Sequence, residues 1–202
     1  MLPRIETFNG QFFSLDTEDY EGLTIDNIAH ALSMVNRFNG HTKFPYSVAE
    51  HSVLVASQLP PELQMVGLLH DGSEAFIQDI PSPFKPYLPD YAIVEKNVQD
   101  RVYRAFGFDP HWVDSIYPEI KSVDSMMCQV EATHLLHSGG AGWASNPENL
   151  GIFGLSPLAA EGLFILAFHN ISRGNFFKGY LTPAYLQQLI GENNAINSSS
   201  KA

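Results

Sequence analysis

Cysteine is almost missing from this sequence: Cys128 stands alone among 202 residues, so no disulfide can form within the chain. Cationic residues are scarce. Eleven Lys and Arg face 22 Asp and Glu, a formal net charge of −11 with a pI near 5.0. That balance disfavours attraction to nucleic-acid polymers or anionic lipid, and it leaves any phosphate-bearing ligand to be met by local charges or a metal. Long hydrophobic runs are lacking too. The most apolar stretch, residues 151–168, is interrupted by Pro157 and Glu161 and reads as a loop entering a buried helix rather than a membrane span. No basic segment followed by an apolar stretch opens the chain, so the expectation is a cytoplasmic protein with no membrane role. No repeat recurs at any period and no linker divides the sequence. What is present, 45% hydrophobic and 16% charged residues, suits one compact domain and excludes a fibre or a tandem array.

The pattern along the chain is helical. Aromatics mixed with Gly10 and Gly22 suggest a short hairpin or arm over the first 23 residues. Thr24 can cap a helix in which Ile28, Leu32 and Val35 recur through Phe38. Ser47-x-x-Glu50 forms a capping box before a second helix beginning near Val48. Pro60-Pro61 ends that helix and starts a third, which runs through His70 to about Phe76. Asp90 can cap a fourth, amphipathic helix closed by Gly107. A long helix is expected from near Pro118 toward Leu136, an apolar one over 157–169, and a last short one from Thr182-Pro183. The fold class read from this is an all-α bundle with a minor N-terminal strand or arm, a single domain over 1–192 followed by a polar, disordered tail over 193–202.

Against that background stand His51 in the first turn of the second helix, the adjacent pair His70-Asp71, and Asp124 inside the long helix. Two imidazoles and two carboxylates make a mixed N/O donor set that suits a divalent ion such as Mn, Co, Fe, Zn or Mg. Singly, each is more commonly a structural histidine, a cap or an ion-pair partner; their force is collective. Glu74 follows His70 by four residues, one helical turn along the same face, where a carboxylate could reach a metal-bound water. Asp79 fits two roles equally, completing an acidic edge or capping the loop at Ile80-Pro81.

Taken in order, Arg37-Phe38, Ser47-Val48-Ala49-Glu50-His51-Ser52, Leu69-His70-Asp71-Gly72-Ser73-Glu74-Ala75, Gln78-Asp79-Ile80-Pro81-Ser82-Pro83-Phe84-Lys85 and Lys121-x-x-Asp124 resemble the HD-domain phosphohydrolases. The nearest branch is that of bacterial 5′-deoxynucleotidases and their phage relatives, including phage dATP triphosphohydrolases, whose opening Thr7-Phe8-Asn9-Gly10 is also similar. The resemblance spans about 25–131 and offers no landmark after Leu136. It implies a helical HD fold and metal ligation by His51, His70, Asp71 and Asp124. Glu74 would lie beside the attacking water, and Arg37, Lys85 and Lys121 would hold phosphate oxygens. With Asp71 and Arg37, Glu74 would form the catalytic group. Phe38 stands where the deoxynucleotidase pattern has tryptophan; it could stack on base or sugar, or close the core. Pro83 could line the base pocket or stiffen its loop, His41 could touch phosphate or remain a loop histidine, and Lys43 rests on proximity alone.

The chemistry agrees with a phosphohydrolase, because ester hydrolysis needs an activated water and cations against the charge growing on phosphoryl oxygens. The expected reaction is cleavage of a dNTP to deoxynucleoside and triphosphate, whose longer tail calls for more cationic contacts and could engage an additional metal ion. A dNMP 5′-nucleotidase releasing phosphate shares the same catalytic set. A di-iron HD oxygenase would draw on His111, His134 and His137, with Glu131 and His134 sharing a helix face with Asp124. A nucleotide sensor without turnover would not require the full set of ligands and cations. The resemblance and the apolar stripe of residues 90–106 lead us to expect a homo-oligomer.

Overall fold

The computed structural model describes residues 3–143 and 150–175. The chain enters through a hairpin in which β1 (Ile5–Glu6) pairs antiparallel with β2 (Phe12–Phe13), Ile5 opposite Phe13. Phe13 is buried against Phe76 and lies under the Arg101 guanidinium, whose two ends donate to the carbonyls of Ser14 and Asp19. The arm is thereby fastened to the bundle, and the other regular elements among the described residues are helices.

Helix α1 (Ile25–Met34) starts as expected, with the Thr24 hydroxyl accepting the Asn27 N–H. It stops short of Phe38. Val35 turns extended, Arg37 N–H donates to the Tyr46 carbonyl, Val48 N–H donates to the Val35 carbonyl, and Asn36 bridges Ser47. Pairing with the segment ahead of the next helix thus replaces another helical turn, and a 3-10 turn over Arg37–Gly40 follows.

Helix α2 (Val48–Gln58) realises half of its capping box. The Ser47 hydroxyl accepts the Glu50 N–H, but the Glu50 carboxylate turns away and accepts the N–H groups of Phe153, Gly154 and Leu155. Every residue of α2 from Val48 to Ser57 is buried, so it is the central helix, enclosed on all sides. It packs on α3 (Gln64–Leu69), on α6 (Pro110–Leu135) and on α7 (Pro157–Ser172), which also lies along α1. Leu32, Leu54, Leu68, Ile120, Met127 and Phe164 are fully buried where these helices meet.

The single third helix expected to run to Phe76 is divided in two. After α3 the chain tightens through His70–Ser73 and resumes as α4 (Glu74–Ile77). The cause is Gln99 on α5 (Pro89–Ala105): its side-chain amide donates to the Leu69 carbonyl and accepts the Ser73 N–H, occupying the two groups that a continuous helix would join. Gly72 admits the close approach, since a Cβ there would stand 2.8 Å from Val102 of α5. His70 and Asp71 sit on this interrupted turn.

Two helix starts also differ from expectation. Asp90 lies in the first turn of α5 without capping it, and Pro89 takes the N-terminal position. Helix α6 begins at Pro110, capped by Asp109, and carries Pro118 inside; Asp-Pro is itself a cap followed by a favourable first residue. Gly107, at φ +84°, closes α5 as expected, and Ser156 caps α7. The helix expected at Thr182-Pro183 and the tail over 193–202 lie outside the described residues. Among those described, no helix is long and apolar enough to cross a membrane.

Candidate metal centre

Three elements converge on one point. Central α2 contributes His51, the interrupted turn contributes His70 and Asp71, and α6 contributes Asp124. His51 Nε2 stands 3.2 Å from Asp124 Oδ1 and 3.6 Å from Asp71 Oδ2; His70 Nε2 stands 3.2 Å from Asp71 Oδ2 and 3.9 Å from Asp124 Oδ1. Nitrogen and oxygen ligands at about 2.1 Å from one ion stand roughly 3.0–3.4 Å from each other, close to these spacings.

The other face of each imidazole is already engaged. His70 Nδ1 donates to the Gly67 carbonyl at 2.7 Å, and His51 Nδ1 lies 2.5 Å from Glu131 Oε1. A carbonyl can only accept, so neutral His70 carries its proton on Nδ1 and directs a lone pair from Nε2. Both Nε2 atoms are buried without a hydrogen-bond partner. Unpartnered buried nitrogens facing carboxylate oxygens are what a cation site requires, and His51, His70 and Asp124 form a group able to hold a metal ion.

The electrostatics point the same way. Burial would depress both imidazoles, as would Arg37 for His51. The carboxylates outweigh this, raising His51 and holding His70 well above its ordinary value. Burial would raise Asp71 and Asp124, yet the two imidazoles hold both below the usual carboxylate range. A field that favours a proton on each imidazole also favours a cation between them.

Glu131 is the residue whose importance the sequence concealed. It is fully buried two turns beyond Asp124 on α6, where it accepts from Tyr46 Oη at 2.9 Å and from Arg37 Nη2 at 3.0 Å as well as meeting His51. The spacing of seven residues was visible; the three partners, 80 to 94 positions away in the chain, were not. Glu131 therefore stands behind His51 rather than among the ligand atoms. Burial would raise its carboxyl, but Arg37 and His51 hold it below its ordinary value. His111 is exposed in the first turn of α6, and neither it nor His134 joins the cluster; His137, just beyond α6, does not join it either.

Around this core, Arg37 Nη1 approaches Asp71 Oδ2 at 3.7 Å, bringing the guanidinium to the edge of the ligand set. Lys121 Nζ binds Asp124 Oδ2 at 2.6 Å, so one carboxylate faces the imidazoles with one oxygen and a half-exposed cation with the other. Glu74 is buried with Oε2 unpartnered, and burial, then Asp71 and Asp79, push its carboxyl well above its ordinary value. Asp79 is half-buried and raised mainly by burial, within the fields of Arg37, Asp71 and Lys85. Lys85 pairs with Glu95 at 2.7 Å. Phe38 is half-buried beside Arg37, Pro83 is exposed in the turn before Phe84, and His41 is exposed. Lys43 caps the end of α6, its Nζ donating to the His134 carbonyl. An apolar groove lined by Pro61, Met65, Phe106, Phe108 and Phe168 shares no residue with this cluster.

No protein-family model matches the chain. Over 173 residues it is 33% identical to the uncharacterized protein YfdR of Escherichia coli, an alignment covering 83% of this chain and 95% of that protein. It is also 32% identical over 154 residues to an uncharacterized protein of Rhodobacter capsulatus, covering 71% of this chain and 76% of the relative.

Proposed function

We propose that this chain, which belongs to the same family as YfdR of Escherichia coli, is an HD-domain, metal-dependent phosphohydrolase. In this reading it cleaves the 5′ phosphate ester of deoxynucleotides, converting a dNTP such as dATP to deoxynucleoside and triphosphate. One observation carries the proposal: two buried imidazoles, each engaged at Nδ1, present unpartnered Nε2 atoms to Asp71 and Asp124.

A divalent ion held by His51, His70, Asp71 and Asp124 would lower the pKa of a water and neutralise phosphoryl charge, and Mn, Co, Fe, Zn and Mg all suit such donors. Glu131 and the Gly67 carbonyl keep both imidazoles oriented and their Nε2 lone pairs available. Water oxygen attacks the α-phosphorus as the bond from phosphorus to the 5′ oxygen breaks. Glu74 takes the proton that the water loses and returns it to the departing 5′ oxygen, so that the nucleoside leaves as an alcohol. Arg37, Lys121 and Lys85, each now paired with a carboxylate, exchange that partner for phosphate oxygens. The substrate accords with a cytoplasmic setting.

The test is product analysis. Protein supplemented with each metal in turn is incubated with every dNTP, dNMP and rNTP, and the products are separated by ion-pair chromatography. Nucleoside with intact triphosphate from a dNTP is the expected result. Nucleoside with phosphate from dNMP alone would replace it with a 5′-nucleotidase, and no product from any nucleotide would overturn the proposal.

A further inference from the structure

Two aromatic side chains meet beside Arg37. The Phe38 ring lies 5.7 Å from the Arg37 guanidinium carbon, and Trp143 meets it edge-on, with centroids 6.1 Å apart and planes at 77°. The loops that carry them are both fastened to the C-terminal end of α6. Lys43 N–H donates to the Leu135 carbonyl and Lys43 Nζ to the His134 carbonyl, holding the loop that follows Phe38. Gly140, at φ +78°, closes the other loop against Thr133, where a Cβ would stand 3.1 Å from the backbone nitrogen, and Trp143 N–H donates back to the Gly140 carbonyl.

The backbone under Phe38 is strained. Phe38 and Asn39 occupy the left-handed region at φ +53° and +51°, and Gly40 follows at +74°. A bulky side chain there is a real outlier, and such strain gathers at ligand sites, where the surrounding structure enforces it. Packing an aromatic onto the bundle would not require it. Trp143 nevertheless stays 40% exposed.

We infer that Trp143 completes a nucleobase subsite beside Phe38, the aromatic position that the resemblance already implies, and is the residue that separates nucleotides from other phosphate esters. The inference rests on the proposed phosphohydrolase activity, since it takes the phosphate end of the ligand to lie at His51, His70, Asp71 and Asp124. Arg37 connects the two ends, 3.7 Å from Asp71 on one side and beside Phe38 on the other. An exposed aromatic face stacks on any base, whereas a sugar phosphate without a base offers it nothing.

The chain has two tryptophans, so Trp112→Phe leaves Trp143 as the single reporter; Trp112 stacks on Phe108 at the other end of α6. This full-length variant, supplemented with Zn2+, is titrated with dAMP and with 2-deoxyribose 5-phosphate while Trp143 emission is read, and hydrolysis of dATP is followed in parallel with Mn2+ or Co2+. Saturable quenching by dAMP and none by the sugar phosphate is expected. Emission unchanged by dAMP overturns the subsite whether or not hydrolysis occurs, whereas quenching without hydrolysis of any ester keeps the subsite and removes the activity. In the otherwise native chain, Trp143→Ala should weaken dAMP affinity about tenfold and affinity for the sugar phosphate far less. Equal loss on both compounds would mark Trp143 as structural.

Discussion

Two glutamates, Glu50 and Glu131, are equally and completely buried, and both lie within reach of the region around His51, yet they do different things. Glu50, beside His51 on α2, accepts three backbone N–H groups from residues 153–155 and fastens that loop to the central helix. Glu131, on α6, takes side chains instead: an imidazole, a phenol and a guanidinium, two of which border the candidate metal centre. Burial raises Glu50 despite its hydrogen bonds, whereas Arg37 and His51 pull Glu131 below its ordinary value. A buried carboxylate is therefore no marker of chemistry by itself. What it holds, backbone or reacting side chains, separates architecture from function.

Four substitutions test that separation, ordered by their expected effect on turnover. Asp71→Ala removes a carboxylate that faces both imidazoles; it should abolish activity and lower the metal content measured by atomic emission. Glu74→Gln should retain the metal and lower kcat by about 10^2- to 10^4-fold, the range for a lost general acid or base. Glu131→Gln keeps the shape but not the charge behind His51, and metal affinity should fall by about 10- to 100-fold, with activity partly restored at high metal concentration. Glu50→Ala strands three N–H groups, so urea unfolding should show a loss of about 2–5 kcal/mol while kcat of the folded fraction stays near wild type. If Glu50→Ala and Glu131→Gln changed kcat alike, the distinction between the two glutamates would collapse.

The parts of the structure dictated by neighbours in sequence were legible. Thr24 and Ser47 capped the helices they were expected to cap, Gly107 took the left-handed position, and the aromatic arm formed a hairpin. The four proposed ligands were read from motif order, and the fold brings them together. Features made by distant partners were not legible. Gln99 divides the third helix from 30 positions away, Tyr46 and Arg37 turn Glu131 into a hub, and residues 153–155 draw Glu50 out of its capping box. Helix α6 differs from expectation for a local reason: Pro118 can start a helix, but Asp109-Pro110 is the stronger start.

The most direct measurement is metal stoichiometry across the ligand set: wild type, His51→Ala and Asp124→Ala, each dialysed against Mn2+, Co2+ or Zn2+, analysed for bound ion and checked for helical content by circular dichroism. The expected result is about one tightly held ion per wild-type chain and a large loss in both variants at unchanged helicity. Wild-type protein that retains no ion, or variants that retain as much as wild type, would contradict a metal centre at His51, His70, Asp71 and Asp124.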